Sequence, residues 1–180
     1  LSTGGALTDD GVNNITAETL TVGGASSVGD IEAGLTVDAS EVDITAGGNI
    51  VLDAVGEDGV LIAAAVVGDA GGIAIYSSSE TVTLDGVSTE DGDILVGVDT
   101  SIEALNVSAG TAAAADGDII MLALGDITVG DVSAGDDLIA IGADGNINFI
   151  GGDEGADVGG GNSTLTLAAG GDISFDGANF

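Results

Sequence analysis

Fifteen short apolar-x-apolar triplets punctuate this chain, separated by Gly, Asp, Asn and Ala rather than by strong helix formers. They include Leu20-Thr-Val22, Val42-Asp-Ile44, Ile50-Val-Leu52, Ile73-Ala-Ile75, Val82-Thr-Leu84, Ile94-Leu-Val96, Ile119-Ile-Met121, Ile147-Asn-Phe149 and Ile173-Ser-Phe175. Alternation with a period of two, carried mainly by Ile and Val, predicts β-strands. With 33 glycines in the chain, no window is long enough for a stable helix. Many triplets follow a Gly-Asx pair: Gly48-Asn49, Gly92-Asp93, Gly117-Asp118, Gly125-Asp126, Gly145-Asn146 and Gly171-Asp172. Glycine supplies turn dihedrals closed to other residues, and the Asx side chains are expected to bond locally to the turn backbone.

Strands of about three to five residues are too short for an ordinary sandwich, which uses about five or six. Two of them in each turn of about 20 to 23 residues fit a parallel β-helix, whose coils stack one on the next. The outer residues of each triplet then point inward and form aliphatic ladders. About eight coils at ~4.8 Å each make a rod roughly 40 Å long. The alternative is a Gly-rich β-sandwich of meandering hairpins. In either case residues 1–180 form one domain, with an acidic Gly-rich loop expected at 151–162.

Composition decides what such a rod can do. The chain has no Lys, Arg or His against 31 Asp plus Glu, and no Cys, yet it is 44% apolar with a mean hydropathy of +0.50. That is too apolar for an acidic disordered chain, so a folded core is expected. Imidazole, ammonium, guanidinium and thiol chemistry are all excluded. With so few aromatics, and carboxylates as the only ionisable groups, an enzyme is not expected. Nothing here can neutralise nucleic-acid phosphates, and no apolar run is long enough to insert in a membrane. The −31 charge must be relieved by bound or diffuse cations. The chain begins on Leu1 with no positively charged segment leading into an apolar one, as expected of a processed product or a fragment.

The segments ITAGGNIVL (44–52), GDITV (125–129) and LTLAAGGDISF (165–175) resemble the filamentous-haemagglutinin-type repeats of large secreted bacterial adhesins. The resemblance covers roughly residues 35 to 175. It implies a right-handed β-helical rod, an extracellular or cell-surface location, and a structural role in adhesion or in a surface filament. Self-association, end to end or lateral, and contact with a host or matrix glycan would follow.

Three sets of residues are candidates for binding. Acidic turns at Asp58-Gly59, Asp91-Gly92-Asp93, Asp116-Gly117-Asp118 and Asp144-Gly145 would stack carboxylates about 5 Å apart if they fall at equivalent corners. Repulsion there runs from about 1 kcal/mol per pair in water to about 3.5 at an effective dielectric of 20. A Ca²⁺ would turn that cost into binding, so Asp91, Asp93, Asp116, Asp118 and Asp144 are candidate metal ligands. Asp153, Glu154 and Asp157, in GGDEGADVGGGN (151–162), are a further cluster, and a calcium-dependent glycan- or protein-binding module is the alternative function. The middle residues Val51, Ala74, Leu95 and Ile120 of successive equivalent triplets predict an apolar outer face, hence an interface or a face covered by residues 111–115. Sequons place candidate glycosylation at Asn106, Asn14 and Asn162, with Asn106 expected outward on a strand.

Overall fold

A period-two apolar pattern buries one side of the chain only where the backbone runs extended, and here it does so in fifteen strands. A computed structural model describes residues 1, 4–9, 14–30, 33–56, 58–68, 71–79, 81–111, 116–135, 137–150, 158–159 and 163–176. Its strands are β1 (Ile15–Ala25), β2 (Leu35–Ala46), β3 (Ile50–Ala54), β4 (Val60–Val66), β5 (Ile73–Ser77), β6 (Thr81–Thr89), β7 (Ile94–Val98) and β8 (Ser101–Ala109). They continue as β9 (Ile119–Ala123), β10 (Ile127–Ala134), β11 (Leu138–Ala143), β12 (Ile147–Ile150), β13 (Val158–Gly159), β14 (Thr164–Ala169) and β15 (Ile173–Asp176). Every strand pairing is parallel, which removes the sandwich of hairpins. The fold is an all-β parallel solenoid of about six turns.

One face is the ladder β3-β5-β7-β9-β11-β14, one strand per coil. The rest of each coil belongs to the ladder β2-β4-β6-β8-β10-β12-β15. Within the longer strands the burial alternation slips at Asp85-Gly86 and at Leu105-Asn106, so Val82 and Leu84 bury in one column while Val87 and Thr89 bury in another. Gly86 takes φ +81, a conformation that side-chain-bearing residues rarely adopt, and lets the strand bend there. The coils of β6 and β8 thus have three inward stretches rather than the two expected. The eight expected coils become about six because equivalent residues lie as far as 26 apart, and because β2 runs two triplets together in one long strand.

Inside, aliphatic columns stack in register. Ile50, Ile73, Ile94, Ile119 and Ile139 form one, and Leu52, Ile75, Val96, Met121 and Ile141 the next. All ten are buried. Parallel strands about 4.8 Å apart bring like side chains into van der Waals contact, and burying each contributes about 1.5–3 kcal/mol. Interior hydroxyls are satisfied: Ser77 donates to the Ala54 carbonyl at 2.9 Å and Thr89 to that of Gly92 at 2.6 Å.

Candidate functional site

The Gly-Asx pairs do something other than make local turns. In five of the six pairs the Asx side chain accepts a backbone N–H of the next coil. Asn49 takes it from Gly72 (3.0 Å), Asp93 from Asp118 (2.9 Å) and Asp118 from Leu138 (3.0 Å) at one corner. At a second corner Asp126 takes it from Asn146 (2.7 Å) and Asn146 from Asp172 (2.8 Å). Partners lie 20 to 26 residues apart, so the motif is a clamp between coils. Its glycines are required mainly by crowding. A Cβ on Gly145 would meet Asp126 Oδ1 at 2.3 Å and the Gly125 carbonyl oxygen at 2.8 Å.

Four of the candidate metal ligands share the first corner. Asp91 and Asp116 lie two residues before Asp93 and Asp118 on the same two coils, where Gly71 N–H donates to Asp91 O (3.2 Å) and Gly92 N–H to Asp116 O (3.0 Å). Asp144 does not join them: it precedes Asn146 at the second corner. Asp153, Glu154, Asp157 and Asn162 lie outside the described residues. Among the described residues no group of three or more carboxylates is arranged to hold a metal ion.

Along the strands, charge is handled differently. Thr19, Glu41, Leu61, Thr83, Glu103, Thr128, Asn148 and Ser174 form one outward column. Thr19 and Thr83 donate hydroxyls to Glu41 (3.3 Å) and Glu103 (3.4 Å). Asp43 sits between Thr21 and Ala63, and Asp53 between Thr36 and Tyr76. Among the described strand residues no two carboxylates are direct register partners, which avoids the destabilising like-charge cross-strand pair. Among the described residues, the corner at Asp91–Asp93 and Asp116–Asp118 brings them onto adjacent coils.

The predicted outer face is also a register column: Val51, Ala74, Leu95 and Ile120 pair in succession and continue to Ala140 and Thr166. Their neighbours Ile94, Val96, Ile119 and Met121 are buried, while Ala74, Leu95 and Ile120 keep part of their surface. Val51 is only 8% exposed, because the backbone at Gly29 and Gly34 lies against it. Residues 112–115 of the segment expected to cover this face lie outside the described residues.

Sequence reasoning missed a second outward column on the same face: Asp53, Tyr76, Gly97, Leu122, Gly142 and Ala168. A triplet ends one residue before it, but the strands run five residues or more. Tyr76 lies over Gly97, and Leu122 over Gly142. Beside this column runs a groove of about 630 Å³ with Ala123, Ala143 and both glycines in its lining. Asn106 is exposed within β8, outward on the strand as expected, with Asp85 and Asp131 as its register partners; Asn14 is exposed just before β1. Comparison of the chain with protein-family models, curated proteins and solved structures gives no match.

Proposed function

We propose that the chain is a structural rod segment of an extracellular adhesin or self-assembling surface filament, whose last described coil accepts a further coil, either of the same polypeptide or of a second copy. The observation that carries this reading is the last coil. Leu165, Leu167 and Ala169 are only half-buried, and Ile173 and Phe175 are exposed, although the sequence places them in the same inward columns as the buried Ile139, Ile141 and Ile147. Strand edges over an uncovered apolar layer are a template for another parallel coil. The coil is taken as right-handed, the sense that parallel crossovers adopt almost without exception.

Cations belong to the same reading. A rod of charge −31 associates with its like only when screened, and the stacked Asp91, Asp93, Asp116 and Asp118 are where divalent ions such as Ca²⁺ would concentrate. That corner is also the observation favouring the second reading, a calcium-dependent module for a glycan or protein. Asn106 and Asn14, both exposed, are the acceptors proposed for glycosylation.

Electron microscopy of the purified protein, with and without Ca²⁺ at fixed ionic strength, tests the proposal. Rods longer than one molecule are expected, shortened by Phe175→Glu. Single short rods under all conditions would sink the self-assembling filament, and a Ca²⁺-dependent rise in melting temperature without longer rods would favour the module.

A further inference from the structure

The groove beside the second outward column combines an apolar floor with an acidic rim. Its floor is apolar and small, at Gly97, Gly142 and Ala168. Large apolar side chains stand beside it: Leu122 is 52% exposed and Leu124 59% exposed, with Tyr76 at one end. Solvent-exposed leucines this close together on a chain with 31 carboxylates are costly unless covered. From the coil of Tyr76 to that of Ala168 is four coil steps, about 19 Å, the span of about six extended residues.

The rim has the opposite character. Asp99 and Asp144 line the groove, and Asp53 stands next to Tyr76 in the column. Two copies placed groove to groove would bring these carboxylates together with no basic residue to offset them. A guanidinium or ammonium at the same places would be attracted, and none exists in this sequence. We infer that the groove binds a segment of another protein in which apolar side chains are flanked by Lys or Arg. The apolar side chains would sit on the glycine floor between Tyr76 and Leu124, and the cations would meet Asp99 and Asp144. This interaction does not depend on end-to-end growth, and the two can fail separately.

Tyr76 is the only tyrosine and the chain has no tryptophan, so its emission reports on the groove directly. The probe is a short amidated peptide of arginines and leucines, titrated into the full chain at physiological salt. A control peptide replaces the leucines with serines. Saturable binding with a change in Tyr76 emission is expected for the first peptide. The double variant Leu122→Ser, Leu124→Ser should weaken it about tenfold or more, from the apolar area lost. Asp99→Asn with Asp144→Asn should weaken it further as salt is lowered, when charge contributes most. Both pairs are exposed, so unchanged circular dichroism is expected. Equal affinity for the two peptides, or indifference to the leucine variant, would reduce the attraction to diffuse charge and overturn the proposal. Rod length in electron micrographs should be the same for the leucine variant as for the parent chain.

Discussion

The first and last described coils of the solenoid are built from the same kind of strand and are covered to different extents. At the N-terminal end β1 buries Leu20, Val22 and Ala25, and residues before it close over the edge: Leu7 bonds to Ser27 and Gly29, and Leu1 to Gly23. In the last described coil β14 and β15 carry equivalent apolar residues that are half-buried or exposed. Stability in a solenoid is approximately a sum over coils and the contacts between neighbours. A residue's contribution therefore depends on how many neighbouring coils it has, and a sequence pattern alone does not reveal that number.

The two stacked phenylalanines test this most strongly. Phe149 and Phe175 are register partners with ring centroids 4.9 Å apart, yet Phe149 is 0% exposed and Phe175 53%. Phe149→Ala should cost about 3–5 kcal/mol, the usual range for a buried aromatic. Phe175→Ala should cost about 1 kcal/mol, since half of its area is already in water. Denaturant titration of both variants at low protein concentration checks this, and equal costs would mean that the last coil is covered in solution.

Aliphatic truncations repeat the comparison at smaller scale. Leu20→Ala, in the closed end, is expected to lose about 2–4 kcal/mol, and Leu167→Ala, in the open end, about 1. Hydrogen exchange should agree: amides of β14 and β15 should exchange well before those of β5, β7 and β9. If association closes the open end, raising protein concentration should slow exchange there and raise the cost of Leu167→Ala.

How much of this was legible in the sequence follows from what sets each feature. The alternation in Ile73-Ala-Ile75 or Ile94-Leu-Val96 fixes which side chains turn inward, and the resulting ladders and the outward column through Leu95 and Ile120 could be read directly. The number of coils and the third inward stretch could not, because they depend on bends such as Asp85-Gly86 that interrupt the period without an apolar signal. The Asx clamps were visible as a motif, but their partners are a full coil away, and local turn chemistry is an equally good reading of Gly-Asx until the coils are stacked. Tyr76 and Leu122 escaped because a three-residue pattern stops short of a five-residue strand. Asp144 matched the acidic turns in composition, but composition does not assign a turn to a corner.

The clamps give the smallest and most specific contrast between the closed and open parts of the rod. Asp118 accepts the Leu138 N–H in a part-buried setting between two full coils, whereas Asn146 accepts the Asp172 N–H at the exposed entrance to the last one. Asp118→Ala leaves a donor with reduced access to water and should cost about 1–2 kcal/mol. Asn146→Ala leaves a donor that water reaches, so a few tenths of a kcal/mol is expected. Asp118→Asn keeps the oxygen acceptor and removes one charge from the stack with Asp93 and Asp116, so at low salt it should equal or slightly exceed the parent in stability. Thermal melts of the three variants at low and high salt decide the matter. If Asp118→Asn is as damaging as Asp118→Ala, the negative charge itself is needed at that corner, as it would be for a bound cation, and the clamp is not the whole of its role.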